Sequence, residues 1–187
     1  GDSAVTIEGD YALSGGTFTA TSGTLSWGGH ANLGSDITIS GGTFTHNSGT
    51  TVFLGRLSTI DVVTSLDLSA VEVDKAGSYY QTIASGDTIV ANGTLTLTNG
   101  LIQTGTIEAK GDVTQATTFD GAPEYLGNGT VKLTGSGAQT YTINGGIAPA
   151  INMTTNASAS LVFAAGVDAT IVGDFTMTTG TFTSTTG

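Results

Sequence analysis

Apolar and polar residues alternate in short runs along nearly the whole chain. In Asp36-Ile37-Thr38-Ile39-Ser40 the two isoleucines fall on one side of an extended backbone, and Asp, Thr and Ser fall on the other. The segments Thr43-Phe44-Thr45, Thr94-Leu95-Thr96-Leu97-Thr98, Thr130-Val131-Lys132-Leu133-Thr134 and Thr140-Tyr141-Thr142-Ile143 do the same. A period of two predicts strands with one dry and one wet face. These strands are short and end at Gly-Gly, Asn-Gly or Ser-Gly. Such pairs accept the positive φ of a tight corner. Even Ser65–Val73, the stretch closest to a helical reading, alternates and is read as strand.

The strands recur as a phrase. Gly9-Asp-Tyr-Ala-Leu-Ser-Gly-Gly-Thr-Phe-Thr-Ala-Thr-Ser-Gly23 returns as Ser35-Asp-Ile-Thr-Ile-Ser-Gly-Gly-Thr-Phe-Thr-His-Asn-Ser-Gly49. A looser copy starts at Gly93, a weak one at Gly111, and the last runs from Gly173 to Gly187. The intervals from Gly9 to Gly93 and from Gly93 to Gly173 are nearly equal, and a much shorter interval separates Gly9 from Ser35. Gly49-Thr-Thr-Val-Phe-Leu-Gly55 and Gly129-Thr-Val-Lys-Leu-Thr-Gly135 echo the longer spacing. The expectation is a single all-β unit over 1–187, a parallel β-solenoid of about nine coils of roughly 18–26 residues. Its internal modules would be 9–92 and 93–172, with a third beginning at 173–187. Phe18, Phe44, Ile102 and Phe182 are expected at equivalent inward positions of stacked coils. The pattern shows no polar cap at either end, and the chain begins without Met, so it is expected to be a piece of something longer.

Composition narrows the function. Charged residues are only 10% of the chain and net charge is −11, with Arg56, Lys75, Lys110 and Lys132 the sole Arg or Lys. Four scattered cations make no footprint for phosphate, so nucleic acid is excluded as a partner, and an anionic membrane surface is disfavoured. No apolar run is long enough for a membrane-spanning helix. With no cysteine, disulfides, zinc–thiolate sites and thiol catalysis are ruled out.

Candidate chemistry is sparse. His30 and His46 are the only imidazoles, and His46 stands where other copies carry Ala20 and Ser184, so both read as surface polar residues. Asp10, Asp36, Asp112 and Asp174 recur before strands; one carboxylate per coil falls short of the six to eight oxygens of a Ca²⁺ site, and each reads as a turn residue. A glycosidase would need two carboxyl groups at a defined separation, and nothing singles out a pair. A lyase would need clustered cations. The Thr-x-Thr runs at Thr17, Thr43, Thr94, Thr104 and Thr181 suit an ice-binding ladder, but Thr is also the ordinary outward β-former. Trp27, Tyr79, Tyr80 and Tyr125 lie beside turns, where they could stack on sugars or plug the core. Asn92, Asn128, Asn152 and Asn156 open glycosylation sequons of the kind that Asn- and Thr-rich turns produce by composition. The reading assigns no catalytic, cofactor or metal residues.

Ser-Gly-Gly-Thr-Phe-Thr-Ala-Thr-Ser-Gly-Thr-Leu-Ser-Trp-Gly-Gly29, its second version ending at Gly55, and Gly135-Ser-Gly-Ala-Gln-Thr-Tyr-Thr142 resemble the repeat arrays of large bacterial surface proteins. These are the filamentous-haemagglutinin-like and autotransporter-passenger adhesins. The resemblance covers most of the chain and is weakest over Arg56–Ala84. It implies a right-handed β-helix at the bacterial cell surface, acting as a stiff spacer whose partners are neighbouring copies or repeats and cell-surface glycans. The alternatives are a glycan- or receptor-binding module, an ice-binding solenoid and a polysaccharide lyase or hydrolase.

Overall fold

The computed structural model describes residues 3–29, 34–119, 128–154, 156 and 158–184. Every regular element among them is a strand. Strand β1 (Val5–Ile7) opens the stack. The first turn is β2 (Tyr11–Leu13), β3 (Thr17–Thr19) and β4 (Thr24–Trp27); the second is β5 (Ile37–Ile39), β6 (Thr43–Thr45) and β7 (Thr50–Phe53). Then come β8 (Ser58–Val62), β9 (Ser65–Leu68) and β10 (Ala70–Asp74), followed by β11 (Tyr80–Ile83), β12 (Thr88–Ala91) and β13 (Leu95–Asn99). The fifth turn is β14 (Leu101–Thr104), β15 (Thr106–Ala109) and β16 (Val113–Gln115). A two-strand turn, β17 (Thr130–Leu133) and β18 (Gln139–Ile143), precedes β19 (Gly146–Ala148), β20 (Ala150–Met153) and β21 (Ala159–Phe163). The last turn is β22 (Ala169–Ile171), β23 (Phe175–Met177) and β24 (Thr181–Ser184).

All the pairings are parallel, and each strand pairs with strands of the neighbouring turns. The result is the expected β-solenoid, with three faces. One face is a nine-stranded sheet running β1-β4-β7-β10-β13-β16-β18-β21-β24. The second begins as β2-β5-β8-β11-β14 and resumes as β19-β22, with the Phe119 carbonyl accepting from Ile147 N between them. The third comprises β3-β6 and the six strands from β9 to β23. Seven turns carry three strands each. The count is about seven turns, not the nine read from repeat spacing, because β1 stands alone and the β17–β18 turn has only two described strands. Turn length varies more than expected. Leu95 pairs with Val113, and Val113 pairs with Tyr141, which lies half as far along the chain again.

The interior is a set of columns, as alternation requires. On the nine-stranded face, Val5, Leu25, Thr51, Val71, Leu95, Val113, Tyr141, Leu161 and Phe182 are successive register partners. From Leu25 to Leu161 every member is buried. On the third face Leu66, Ile89, Ile107, Val131, Ile151 and Phe175 form another such column. Fully burying an aliphatic or Phe side chain contributes about 1.5–3 kcal/mol, so the columns supply most of the drive to stack.

The repeated phrase does not keep to one face. Phe18 and Phe44 are register partners with rings stacked at 5.3 Å, as expected. Ile102, however, lies on β14 of the second face, and Phe182 on β24 of the nine-stranded face. Likewise Tyr11 starts β2, Leu95 starts β13 and Phe175 starts β23, on three different faces. The phrase is a strand–corner–strand unit, and the interval from Gly9 to Gly93 does not span a whole number of turns. The four residues are therefore not equivalent, and the sequence modules at 9–92 and 93–172 are out of phase with the coils.

Candidate functional site

Four candidates from the sequence turn out to be structural. Trp27 is buried rather than displayed beside a turn. Its ring lies 5.9 Å from both Tyr11 and Phe53 and 5.8 Å from Phe44, so it packs among aromatic residues of the first two turns. Asp10, Asp36 and Asp112 do not simply bond their own turns. Asp10 Oδ1 accepts from Asp36 N at 3.1 Å, Asp36 Oδ1 from Thr59 N at 2.7 Å and Asp112 Oδ1 from Thr140 N at 2.8 Å. Each carboxylate thus caps a backbone donor of the next turn and continues the ladder through a corner. Asp112 precedes β16 and Asp174 precedes β23, so the four do not form one row. Among the described residues no three His, Asp or Glu side chains gather where they could hold a metal ion.

The remaining candidates are dispersed. His46 is partly exposed, with Nδ1 3.2 Å from the Asn47 carbonyl, while His30 and Tyr125 lie outside the described residues. Arg56 sits over the Tyr79 ring at 4.9 Å, and Lys110 donates to Asn92 at 3.0 Å. Among the described residues outward threonines line up in short runs, such as Thr96–Thr114–Thr142 and Thr88–Thr106–Thr130, and in the pairs Thr17–Thr43, Thr19–Thr45 and Thr24–Thr50. Asn156 is buried and donates to Gly137 O and Gln139 Oε1.

Among the described residues, the constellation with the most chemical character lies inside the solenoid. Lys75 follows β10 at the corner that leads to β11, and its side chain is fully buried. Its Nζ donates to Leu54 O at 2.8 Å, to Ser58 Oγ at 2.7 Å and to Gln81 Oε1 at 3.2 Å. Ser58 and Gln81 are register partners on β8 and β11, and Ser58 Oγ donates to Gln81 Oε1 at 2.7 Å. The amide is fixed from its other side, where Nε2 donates to Ser58 O and Thr82 O, both at 3.0 Å. Gly100, at φ +89°, covers the lysine stem from the turn above; a Cβ there would lie 2.6 Å from Lys75 Cβ.

Burial lowers the Lys75 pKa from 10.5 to about 7, with the Asp36 carboxylate pulling weakly the other way. The cluster is therefore a hydroxyl, an amine that is largely neutral above neutrality, and a primary amide, packed without solvent. Sequence reading passed over it. A signal was present: in Ser58-Thr-Ile60-Asp-Val62 and Gln81-Thr-Ile83 the inward parity includes Ser58 and Gln81, polar residues at dry positions.

Comparison with known proteins adds no relative. No family model, curated protein or solved structure matches the chain. Two further buried polar contacts are local. Tyr141 Oη donates to Gln115 Oε1 at 2.9 Å inside the core, where burial pushes the phenol pKa upward. Gln139 Nε2 donates to the Ala109 carbonyl at 2.8 Å, closing a corner.

The other chemical feature is the pair of ends. Val5, 42% exposed, and Phe182, 50% exposed, terminate the column whose interior members are buried. Phe175 and Met177, each 40% exposed, terminate two columns on the third face. Beside these side chains run β1 and β24, the two edge strands of the nine-stranded face among the described residues.

Proposed function

We propose that the chain is a structural segment of a long extracellular bacterial surface protein or filament, a stiff spacer that stacks end to end on further coils. The single observation that carries this reading is the exposure of Val5, Phe175, Met177 and Phe182 at the ends of otherwise buried columns. A parallel edge with a row of half-buried apolar side chains is a template for another strand. Another coil of the same kind would satisfy both the backbone and the side chains, so copies or repeats of this protein are the fitting partner. Stiffness follows from parallel ladders on three faces and a continuous apolar interior.

A glycan-binding role is the second reading, supported by the Arg56–Tyr79 pair at an exposed corner. A planar cation over an aromatic ring offers both a stacking face and hydrogen-bond donors to a sugar. The scarcity of cations and the dispersal of other aromatics favour the spacer.

Sedimentation and negative-stain electron microscopy of the purified chain over a wide concentration range test the proposal. The expected result is rods that lengthen by whole units as concentration rises, and shorten when Phe175 and Phe182 are both replaced by Ser. Monomers of one length at every concentration would overturn it.

A further inference from the structure

We propose that Ser58 and Gln81 join in an intramolecular ester, with Lys75 as the general base that drives the reaction. The constellation has the parts of an acyl-transfer site: a nucleophile hydrogen-bonded to a base, and an acyl group within reach of both. In the neutral amine two of the three contacts remain donations and the third reverses: the Ser58 hydroxyl turns its proton from Gln81 Oε1 to the lysine lone pair. The amine's two hydrogens then point at Leu54 O and Gln81 Oε1, and its lone pair faces the Ser58 hydroxyl, 2.7 Å away. Leu54 O orients the amine, while the N–H on Oε1 polarises the amide and holds the developing oxyanion. Burial keeps much of this lysine in the neutral form near pH 7, which a solvated lysine would not be.

The step balances without any co-reactant. Ser58 Oγ forms a bond to Gln81 Cδ as its proton passes to Lys75 Nζ. The tetrahedral centre collapses, the Cδ–Nε2 bond breaks, and the lysine ammonium returns the proton to the leaving nitrogen. One ammonia departs and Lys75 is neutral again. A surface cleft lined by Leu54, Gly55, Asp74, Lys75 and Asn99 adjoins the lysine. The dry setting that raises the reactivity of the amine also shields the ester from water.

The product ties β8 to β11 across neighbouring turns. In a chain without cysteine it would be the covalent staple between coils. It acts where the repeat is least regular, between Arg56 and Ala84.

Intact-mass measurement of the folded protein, incubated at mildly alkaline pH, is the test. The expected result is a mass below that of the sequence by one ammonia, and a digest containing a branched peptide that links Ser58 to Gln81. Hydroxylamine should cleave that link. Ser58→Ala should carry the full mass, and Lys75→Met should carry it or lose ammonia many-fold more slowly. Full sequence mass in the wild type would overturn the proposal. So would a deficit that maps to succinimides at Asn92, Asn99, Asn128 or Asn144, each followed by Gly, or to a hydroxylamine-resistant link between Lys75 and Gln81.

Discussion

Val5 and Phe182 are the two ends of one column of register partners, and both are exposed, although every residue between them is buried. Position along the solenoid axis, more than residue type, therefore decides what each apolar side chain contributes. A Leu in the middle touches partners above and below, whereas a Phe on the terminal turn has a partner on one side only. The consequence is a steep gradient in mutational sensitivity along a single face.

Truncation makes that gradient measurable. Leu95→Ala, in the buried centre of the column, should cost about 2–5 kcal/mol, because the cavity cannot collapse between stacked turns. Phe182→Ala, half exposed at the end, should cost under about 1 kcal/mol despite removing a larger side chain. Denaturant titration followed by circular dichroism checks both values. Equal losses at the two positions would contradict the column description.

Corners offer a second contrast. Gly105 and Gly86 both have positive φ, at +77° and +92°, so each strains on gaining a side chain. Around Gly86 the space is open, while at Gly105 a Cβ would lie 2.5 Å from Ile83 Cβ and 2.8 Å from the Ile83 carbonyl. Gly86→Ala should cost about 1 kcal/mol, the conformational penalty alone. Gly105→Ala must also push β14 and β15 away from the turn below, and should cost roughly 3 kcal/mol or more. Thermal melts of the two variants, read side by side, separate strain from crowding.

Lys75 sets a pH dependence. Its folded pKa is lowered to about 7 from the usual 10.5, so between those values the unfolded chain binds more protons than the folded one. Stability due to this residue therefore rises with pH from about 7 towards 10.5 and is lowest below 7, where a charged amine must stay buried. The rise should be on the order of a few kcal/mol at most. Urea titrations of the wild type across this range should show it, and Lys75→Met should flatten it. A wild-type profile that falls through the same window would contradict the buried, deprotonating lysine.

Part of the candidate site was open to reading in the sequence and part was not. Ser58 and Gln81 break the dry parity of Ser58–Val62 and Gln81–Ile83, which marks them as buried polar residues before any fold is known. Lys75 carries no such mark. It lies in a corner, where alternation stops, and a long flexible side chain at a corner reads as solvated. Trp27 was open to two readings for the same reason: it ends a strand beside Gly28-Gly29, and only its packing against Tyr11, Phe44 and Phe53 places it in the core.

Alternation by itself determined that the chain is all-β, which residues of each strand face inward, and that stacking is needed to bury them. Those properties follow from the two-residue repeat of an extended backbone, which every short segment carries on its own. Only the tertiary structure decided which strand lies on which. Stacking depends on the length of each turn, and that length is not constant: the turn from Leu95 to Val113 is much shorter than the one from Val113 to Tyr141. Corner length leaves no imprint on the alternation within strands. The same phrase can therefore bring Phe18 against Phe44 in one place, and set Ile102 and Phe182 on two other faces elsewhere. The meeting of Lys75, Ser58 and Gln81 has the same origin, because it requires the corner after β10 to lie over the start of β8.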